Sequence, residues 1–180
     1  MKAIYQLETL DSLIEYNVRF AEKLYKETGF LTPVIIGYTR DNKQKVFIVG
    51  QFQDEKGKLQ WANTASAAFR LFDIDKYVVM FEGRTVKNPD NDTLKKYGGS
   101  LENYPGRAAC HILIAVNKHG AMAATSEIKP DKTLVSATAQ AVEGRMCELL
   151  PNSTLPPLSA KDRDKLLALL QGQGISIEDI

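Results

Sequence analysis

Apolar residues recur every three to four positions across residues 12–27. This spacing places them along one stripe of a helix, and such a stripe faces a core. Ser12 and Glu15 have the spacing of a capping box, in which a hydroxyl and a carboxylate satisfy free backbone amides. Gly29 is the residue type that best accepts the left-handed backbone at the end of a helix. We therefore predict a helix over residues 12–27.

Short segments rich in β-branched and other apolar residues predict strands. A polar turn separates the first two segments and an Asn-Lys-His-Gly turn separates the last two, so each pair is predicted to form a hairpin. The segments are residues 34–38, 45–49, 77–82, 108–116 and 121–128. Residues on both faces of the second hairpin are largely apolar, which predicts that both of its faces are covered.

Three further helices are predicted, at residues 63–72, 135–149 and 159–170. Gly144 lies inside the second of them and costs it about 1 kcal/mol relative to alanine. Consecutive strands, rather than strict alternation of strands and helices, are typical of the α+β class. We expect a single mainly antiparallel sheet of about five strands, made of two hairpins plus one strand, with about four helices packed on it.

The length of 180 residues corresponds to one domain at about 100–200 residues per domain. We therefore predict a single α+β domain over residues 1–180, with residues 151–180 as a C-terminal helical appendage. A helix as short as 159–170 is marginal alone and must dock. Two alternatives are open: it docks on its own domain, or it binds a second chain through Leu166, Leu167 and Leu170.

Composition and charge exclude several classes of protein. A hydrophobic fraction of 44% with a net charge of +1 excludes a disordered chain. The same charge balance disfavours a nucleic-acid-binding protein. Two cysteines are too few for a disulfide-rich scaffold. The N-terminal residues do not resemble a secretory signal, and the longest apolar run falls well short of the roughly 20 residues that span a bilayer. We expect a soluble, cytoplasmic protein with no membrane partner.

Candidate chemistry is sparse along the chain. The two histidines, His111 and His119, have no spacing that predicts a metal site, and no phosphate-binding or dinucleotide-binding glycine motif is present. We therefore expect neither a metal nor a cofactor. Cys110 and His111 are neighbours in a strand and point to opposite faces, so they do not form a catalytic pair. A symmetric second hairpin places His111 opposite Ser126.

Glu82 and Arg84 share one face of the third predicted strand, where it becomes polar. Together with His111 they are the candidate catalytic residues, because a carboxylate and an imidazole can act as acid and base. This interpretation requires the two strands to be neighbours. The alternatives are an ion pair at the rim of the sheet for Glu82 and Arg84, and close helix packing on the alanines beside His111.

Residues 87–107 form the longest stretch without apolar periodicity. Long irregular loops on a rigid scaffold are often functional. Cationic and tyrosine side chains in and beside this loop suit a protein partner or an anionic ligand. The candidate binding residues are Lys87, Lys95, Lys96, Tyr97, Tyr104 and Arg107.

No motif in the chain establishes a function. The leading hypothesis is a non-enzymatic interaction or regulatory protein that acts through protein–protein contact, with another protein or with itself. The alternative is a small enzyme or ligand-binding domain with an acid–base site near Glu82, Arg84 and His111.

Overall fold

The computed structural model describes residues 6–50, 52–85, 91–96, 108–136, 139–151 and 156–172. These ranges contain four α-helices and seven strands, which confirms the α+β class. The elements are α1 (Leu10–Thr28), β1 (Val34–Tyr38), β2 (Gln44–Val49), α2 (Glu55–Leu71), β3 (Lys76–Thr85), α3 (Asn91–Lys96), β4 (Ala108–Asn117), β5 (Gly120–Ile128), β6 (Leu134–Ser136), β7 (Gln140–Ala141) and α4 (Ala160–Gly172). A single 3₁₀ turn, Arg145–Cys147, lies before α4.

The described strands form one sheet in the order β2-β1-β3-β4-β5-β6, and β7 also pairs with β5. Every pair is antiparallel, as predicted. The sheet has seven strands rather than about five, because β6 and β7 add to the predicted hairpins and single strand. Residues 91–96, inside the stretch predicted to be irregular, form the short helix α3.

Helix α1 begins earlier than the sequence pattern predicts. Thr9 is its N-cap and forms a reciprocal capping box with Ser12, so the predicted box of Ser12 and Glu15 was three residues late. At the other end Gly29 has φ 83° and its N–H donates to the carbonyl of Tyr25 at 2.8 Å, as expected for a glycine C-cap. The buried side chains of α1 lie at four-residue spacing: Leu13, Ala21 and Tyr25 belong to the predicted apolar stripe, whereas the polar Asn17 was not predicted to be buried.

The sheet has a hydrophobic core on each face, because helices cover both. The stripe of α1 packs on one face, against alternate residues of β1, β3 and β4 such as Ile36, Met80 and Leu113. Helix α2 packs on the other face, against the intervening residues such as Ile35 and Val79. None of the helices in the described ranges is long and apolar enough to cross a membrane.

Helix α4 packs on its own chain. Leu170 is fully buried in the core that α2 forms with the sheet, and Leu167 packs against the same core. Of the two alternatives for this helix, the structure therefore shows docking on the domain itself. Leu169, on the outer side, is exposed.

The N-terminal half of α2 was missed by the sequence pattern. The helix begins at Glu55, and the carboxylate of Asp54 accepts a hydrogen bond from the N–H of Gly57 at 2.7 Å. The charged, glycine-containing segment 54–58 has the composition of a turn, which is why the helix was predicted to begin near Asn63 or Thr64. The first-turn N–H groups of a helix need such a cap, and Asp54 supplies it.

The predicted helix over residues 135–149 was wrong. Leu134 and Val135 lie in β6, opposite Ile128 and Glu127 of β5, and the strand β7 and the 3₁₀ turn follow. Gly144 has φ 139°, a backbone conformation that glycine accepts and that ends any helix there. Backbone pairing with β5 therefore overrode a weak helical spacing of apolar residues.

Tyr77 attaches the segment after β7 to the sheet. The Tyr77 hydroxyl donates a hydrogen bond to the carbonyl of Met146 at 2.6 Å and accepts one from the N–H of Leu149 at 3.1 Å. Burial raises the pKa of Tyr77 above its ordinary value, so the hydroxyl stays protonated and keeps its donor. The two bonds fix the approach to α4.

We predict that Tyr77→Phe lowers the free energy of unfolding by about 1–3 kcal/mol, because it leaves the Leu149 N–H unpaired in the core. Urea unfolding followed by circular dichroism measures this loss. Tyr25→Phe is the comparison, since the buried Tyr25 hydroxyl lies near the Glu82 carboxylate but makes no hydrogen bond of normal geometry to the described residues. Equal effects of the two substitutions would contradict the role assigned to Tyr77.

Candidate functional site

Three polar side chains stand in one row across the centre of the sheet. Glu82 on β3 lies opposite His111 on β4, and His111 lies opposite Ser126 on β5. The predicted register of the second hairpin is thus confirmed. Directly opposite residues of an antiparallel pair project from the same face, so all three side chains lie on the face that α1 covers.

The C-terminal end of α1 lies over this row. The ring of Tyr25 meets the imidazole of His111 edge to face, with 6.3 Å between the ring centroids. The Glu82 carboxylate accepts a hydrogen bond from the N–H of Leu31, just after the helix, at 3.1 Å. The row is therefore connected both to the sheet and to the segment that follows α1. We call the three side chains on the sheet, Glu82, His111 and Ser126, together with Tyr25 of α1 that lies over them, the polar row.

Most of the polar row is buried without hydrogen bonds. The Tyr25 hydroxyl, both ring nitrogens of His111 and the Ser126 hydroxyl are sealed from solvent and make no hydrogen bond to the described residues. Glu82 is exposed at the edge of α1. Burial lowers the pKa of His111 to about 4, so the imidazole is neutral at pH 7. Burial, and then the nearby charge of Glu82, raise the pKa of Tyr25 above its ordinary value.

This arrangement limits the chemistry of the polar row. A nucleophilic serine needs a hydrogen bond to its base, and Ser126 makes none to His111. A base must also reach the substrate directly or through one water, whereas His111 is fully covered. The alanines beside the row contribute to helix packing, because Ala115 lies in the same core as Ala21 of α1. In this conformation Tyr25, His111 and Ser126 form a neutral polar cluster beneath α1, and Glu82 lies at its exposed edge.

The other residues predicted from the sequence do not join the polar row. Arg84 is exposed, donates to the carbonyl of Gly83 at 3.1 Å, and makes no ion pair with Glu82. Lys95 and Lys96 are exposed on α3. The remaining candidate binding residues lie outside the described ranges: Lys87, Tyr97, Tyr104 and Arg107.

The cysteines and His119 lie apart from the polar row. Cys110 is buried on the opposite face of β4 from His111, and burial raises the pKa of its thiol. Cys147 is partly buried, and burial raises the pKa of its thiol too. His119 is exposed in the turn between β4 and β5. Within the described residues no three His, Cys, Asp or Glu side chains lie close enough to hold a metal ion.

The sequence pattern missed a second surface, the outer edge of β2. This strand ends the sheet, and no described strand pairs with its outer side. Phe47 and Val49 lie on the same side of the sheet as α1 but beyond the part that α1 covers, and they are 45% and 43% exposed. Val46 and Ile48, on the other face, are buried against α2. Both faces of this strand are apolar, but only one is covered.

Backbone groups of β2 also point outward. The N–H of Gly50 donates a hydrogen bond to the carbonyl of Pro33. The next pair along the two strands, Val34 and Val49, is therefore a non-hydrogen-bonded pair. Such pairs alternate with hydrogen-bonded ones. The N–H and C=O groups of Val49 and Phe47 therefore point away from β1 and out of the sheet. Lys45 is the extra residue of a β-bulge, so the regular edge runs from Val46 to Val49.

Comparison with known proteins gives no match: no protein-family model, no curated protein and no solved structure matches the chain.

We predict that His111 makes the protein less stable below about pH 6.5. The unfolded chain binds a proton near the ordinary histidine pKa, whereas the folded chain binds it only near pH 4, so folding is progressively disfavoured as the pH falls between these values. The shift corresponds to at most about 3 kcal/mol. The Tyr25 hydroxyl stays neutral over this pH range. Glu82 is present both in wild type and in the His111 variant described next, so its contribution is common to both.

His111→Leu, of similar volume, removes this proton-binding site. We expect the variant to be at least as stable as wild type at pH 7, because the unpaired polar nitrogens leave the core. Its advantage should grow toward pH 4. Urea unfolding of both proteins at steps from pH 7 to pH 4 measures the difference. An advantage that does not change with pH would show that His111 does not titrate as described.

Proposed function

We propose that the protein is a non-enzymatic interaction protein that acts in the cytoplasm by binding another protein along the outer edge of β2. One observation carries the proposal: at the end of the sheet Phe47 and Val49 present both exposed apolar side chains and outward backbone groups that no described strand pairs. An extended segment of a partner supplies apolar side chains to contact the first and backbone hydrogen-bonding groups to pair with the second. The free thiols of Cys110 and Cys147 suit a reducing compartment.

Addition of a strand to a sheet edge is a known mode of recognition. Main-chain hydrogen bonds supply affinity, and alternate side chains supply specificity. At this edge Phe47 and Val49 are the alternate, exposed side chains that a partner strand meets on the α1 side of the sheet. Val46 and Ile48 already pack beneath α2, so contacts on the other face fix the position of the strand.

The exposed lysines of α3 are a second candidate contact area. Lys95 and Lys96 were predicted as binding residues, and both are solvent-exposed. Exposed cations change the association rate and its salt dependence more than the affinity. We assign them this supporting role and assign the main contact to β2.

A second candidate function is an acid–base or small-ligand site at Glu82 and His111. The observation in its favour is that an imidazole with no hydrogen-bond partner among the described residues stands directly opposite a carboxylate on the neighbouring strand. Because Tyr25 covers His111, a ligand reaches the imidazole only when the end of α1 moves. A ligand bound there would shift the imidazole signals of His111 in nuclear magnetic resonance spectra, and His111→Leu would abolish binding.

Substitution of the β2 edge tests the interaction function. We predict that a partner captured from native extract by the wild-type protein is lost at least tenfold with Phe47→Asp, because the carboxylate opposes burial of this edge. Leu59→Asp is the matched control, since Leu59 is exposed to a similar degree, 40%, but lies on α2. Thermal melts establish that both variants fold.

The pattern of capture decides the outcome. A partner kept by Leu59→Asp and lost by Phe47→Asp supports binding at β2. Partners retained equally by all three proteins contradict it. Loss of the partner with a double Lys95→Ala, Lys96→Ala variant alone would move the main contact to α3.

A further inference from the structure

The edge of β2 is complementary to itself. The regular stretch Val46 to Val49 carries no charge, and its exposed side chains are both apolar. Its outward backbone groups belong to Phe47 and Val49, two residues apart on either side of Ile48. A strand with outward groups placed symmetrically about one residue can pair with a copy of itself in antiparallel orientation.

We propose that the strand bound at this edge is β2 of a second copy of the chain, paired about a twofold axis at Ile48. This inference rests on the proposed function, because it names the partner strand. In this register Phe47 stands opposite Val49 of the second copy, and Val49 opposite its Phe47. Both outward N–H groups and both outward C=O groups of each copy then have partners.

The face of the sheet on which each side chain lies agrees with this register. Opposite residues of an antiparallel pair share a face. Phe47 and Val49 lie on the α1 side of the sheet, beyond the part that α1 covers, so each exposed side chain packs against an exposed apolar side chain of the second copy. Ile48 meets Ile48 on the face that α2 covers, and the two α2 helices lie on the same side of the joined sheet.

The bulge at Lys45 favours Ile48 as the centre. A centre at Phe47 pairs Val49 with Lys45, whose backbone departs from regular pairing. A centre at Ile48 needs only Val46 to Gly50 and leaves Lys45 outside the hydrogen-bonded pairs. The register therefore avoids both the irregular backbone and the cation of this strand.

We expect a weak dimer. An edge-to-edge contact lies at the low end of interface sizes, under about 1,200 Å². Association is then visible at high protein concentration and reversible on dilution. Two strands that each end a sheet join without any change in the rest of the fold, which suits a reversible contact.

Sedimentation equilibrium of the full chain tests the proposal, at concentrations up to about 1 mM, where contacts of only about 4 kcal/mol are populated. We expect the mass of the wild type and of Leu59→Asp to rise from 20.0 kDa toward twice that value. Phe47→Asp should remain monomeric. Val49→Pro should also remain monomeric, since it removes an outward N–H that the β1–β2 pairing does not use.

The register has its own readout. In a mixture of isotope-labelled and unlabelled chains, we expect contacts between Phe47 of one copy and Val49 of the other. A wild-type protein that is monomeric at about 1 mM overturns the proposal, because any pairing is then weaker than about 4 kcal/mol. A dimer that survives both Phe47→Asp and Val49→Pro, in variants whose thermal melts match wild type, overturns it as well. A monomer that still captures a partner in a Phe47-dependent manner overturns self-pairing alone and leaves the proposed function standing.

Discussion

The pairing of β3 with β4 is the interaction on which the rest of the fold depends. Ten residues of each strand are in register, from Lys76 opposite Asn117 to Thr85 opposite Ala108. Apolar residues occupy both faces of this pair, so neither face can remain in water. Helix α1 must cover one face and α2 with α4 the other. The remaining strands extend this pair outward until the helices no longer cover them.

The same pairing creates the polar row, and the position of α1 decides its chemistry. Glu82 and His111 are brought together by register, but α1 ends at Thr28, so Tyr25 covers His111 while Glu82 reaches solvent. A carboxylate and an imidazole that are directly opposite on the sheet thus have different environments. Burial keeps the imidazole neutral, and its nitrogens have no partner among the described residues, which weakens the core rather than preparing a reaction. This contrast is why we favour interaction over catalysis.

Patterns among residues close together in the sequence predict much of this structure, but they do not show which distant segments pair in the sheet. The helical period of α1 and the Gly29 cap are local, as is the turn that sets Ser126 opposite His111. Strand order is not local: nothing in the spacing of Phe47 and Val49 shows that β2 ends the sheet. Residues 135–149 illustrate the opposite failure, because a short extended segment that pairs with β5 can also show apolar spacing of about three to four residues.

The two edges of the sheet are protected to different degrees, and this difference favours β2 as the contact surface. Among the described residues, the strands beyond β5 are β6 and β7, of 3 and 2 residues. Very short edge strands are one of the devices that prevent unwanted pairing, and bulges and lysines are others. Strand β2, of 6 residues, has such a device at one end only, the Lys45 bulge. Of the four apolar residues that follow it, Phe47 and Val49 are exposed along the described edge, which is the arrangement expected where pairing is functional rather than prevented.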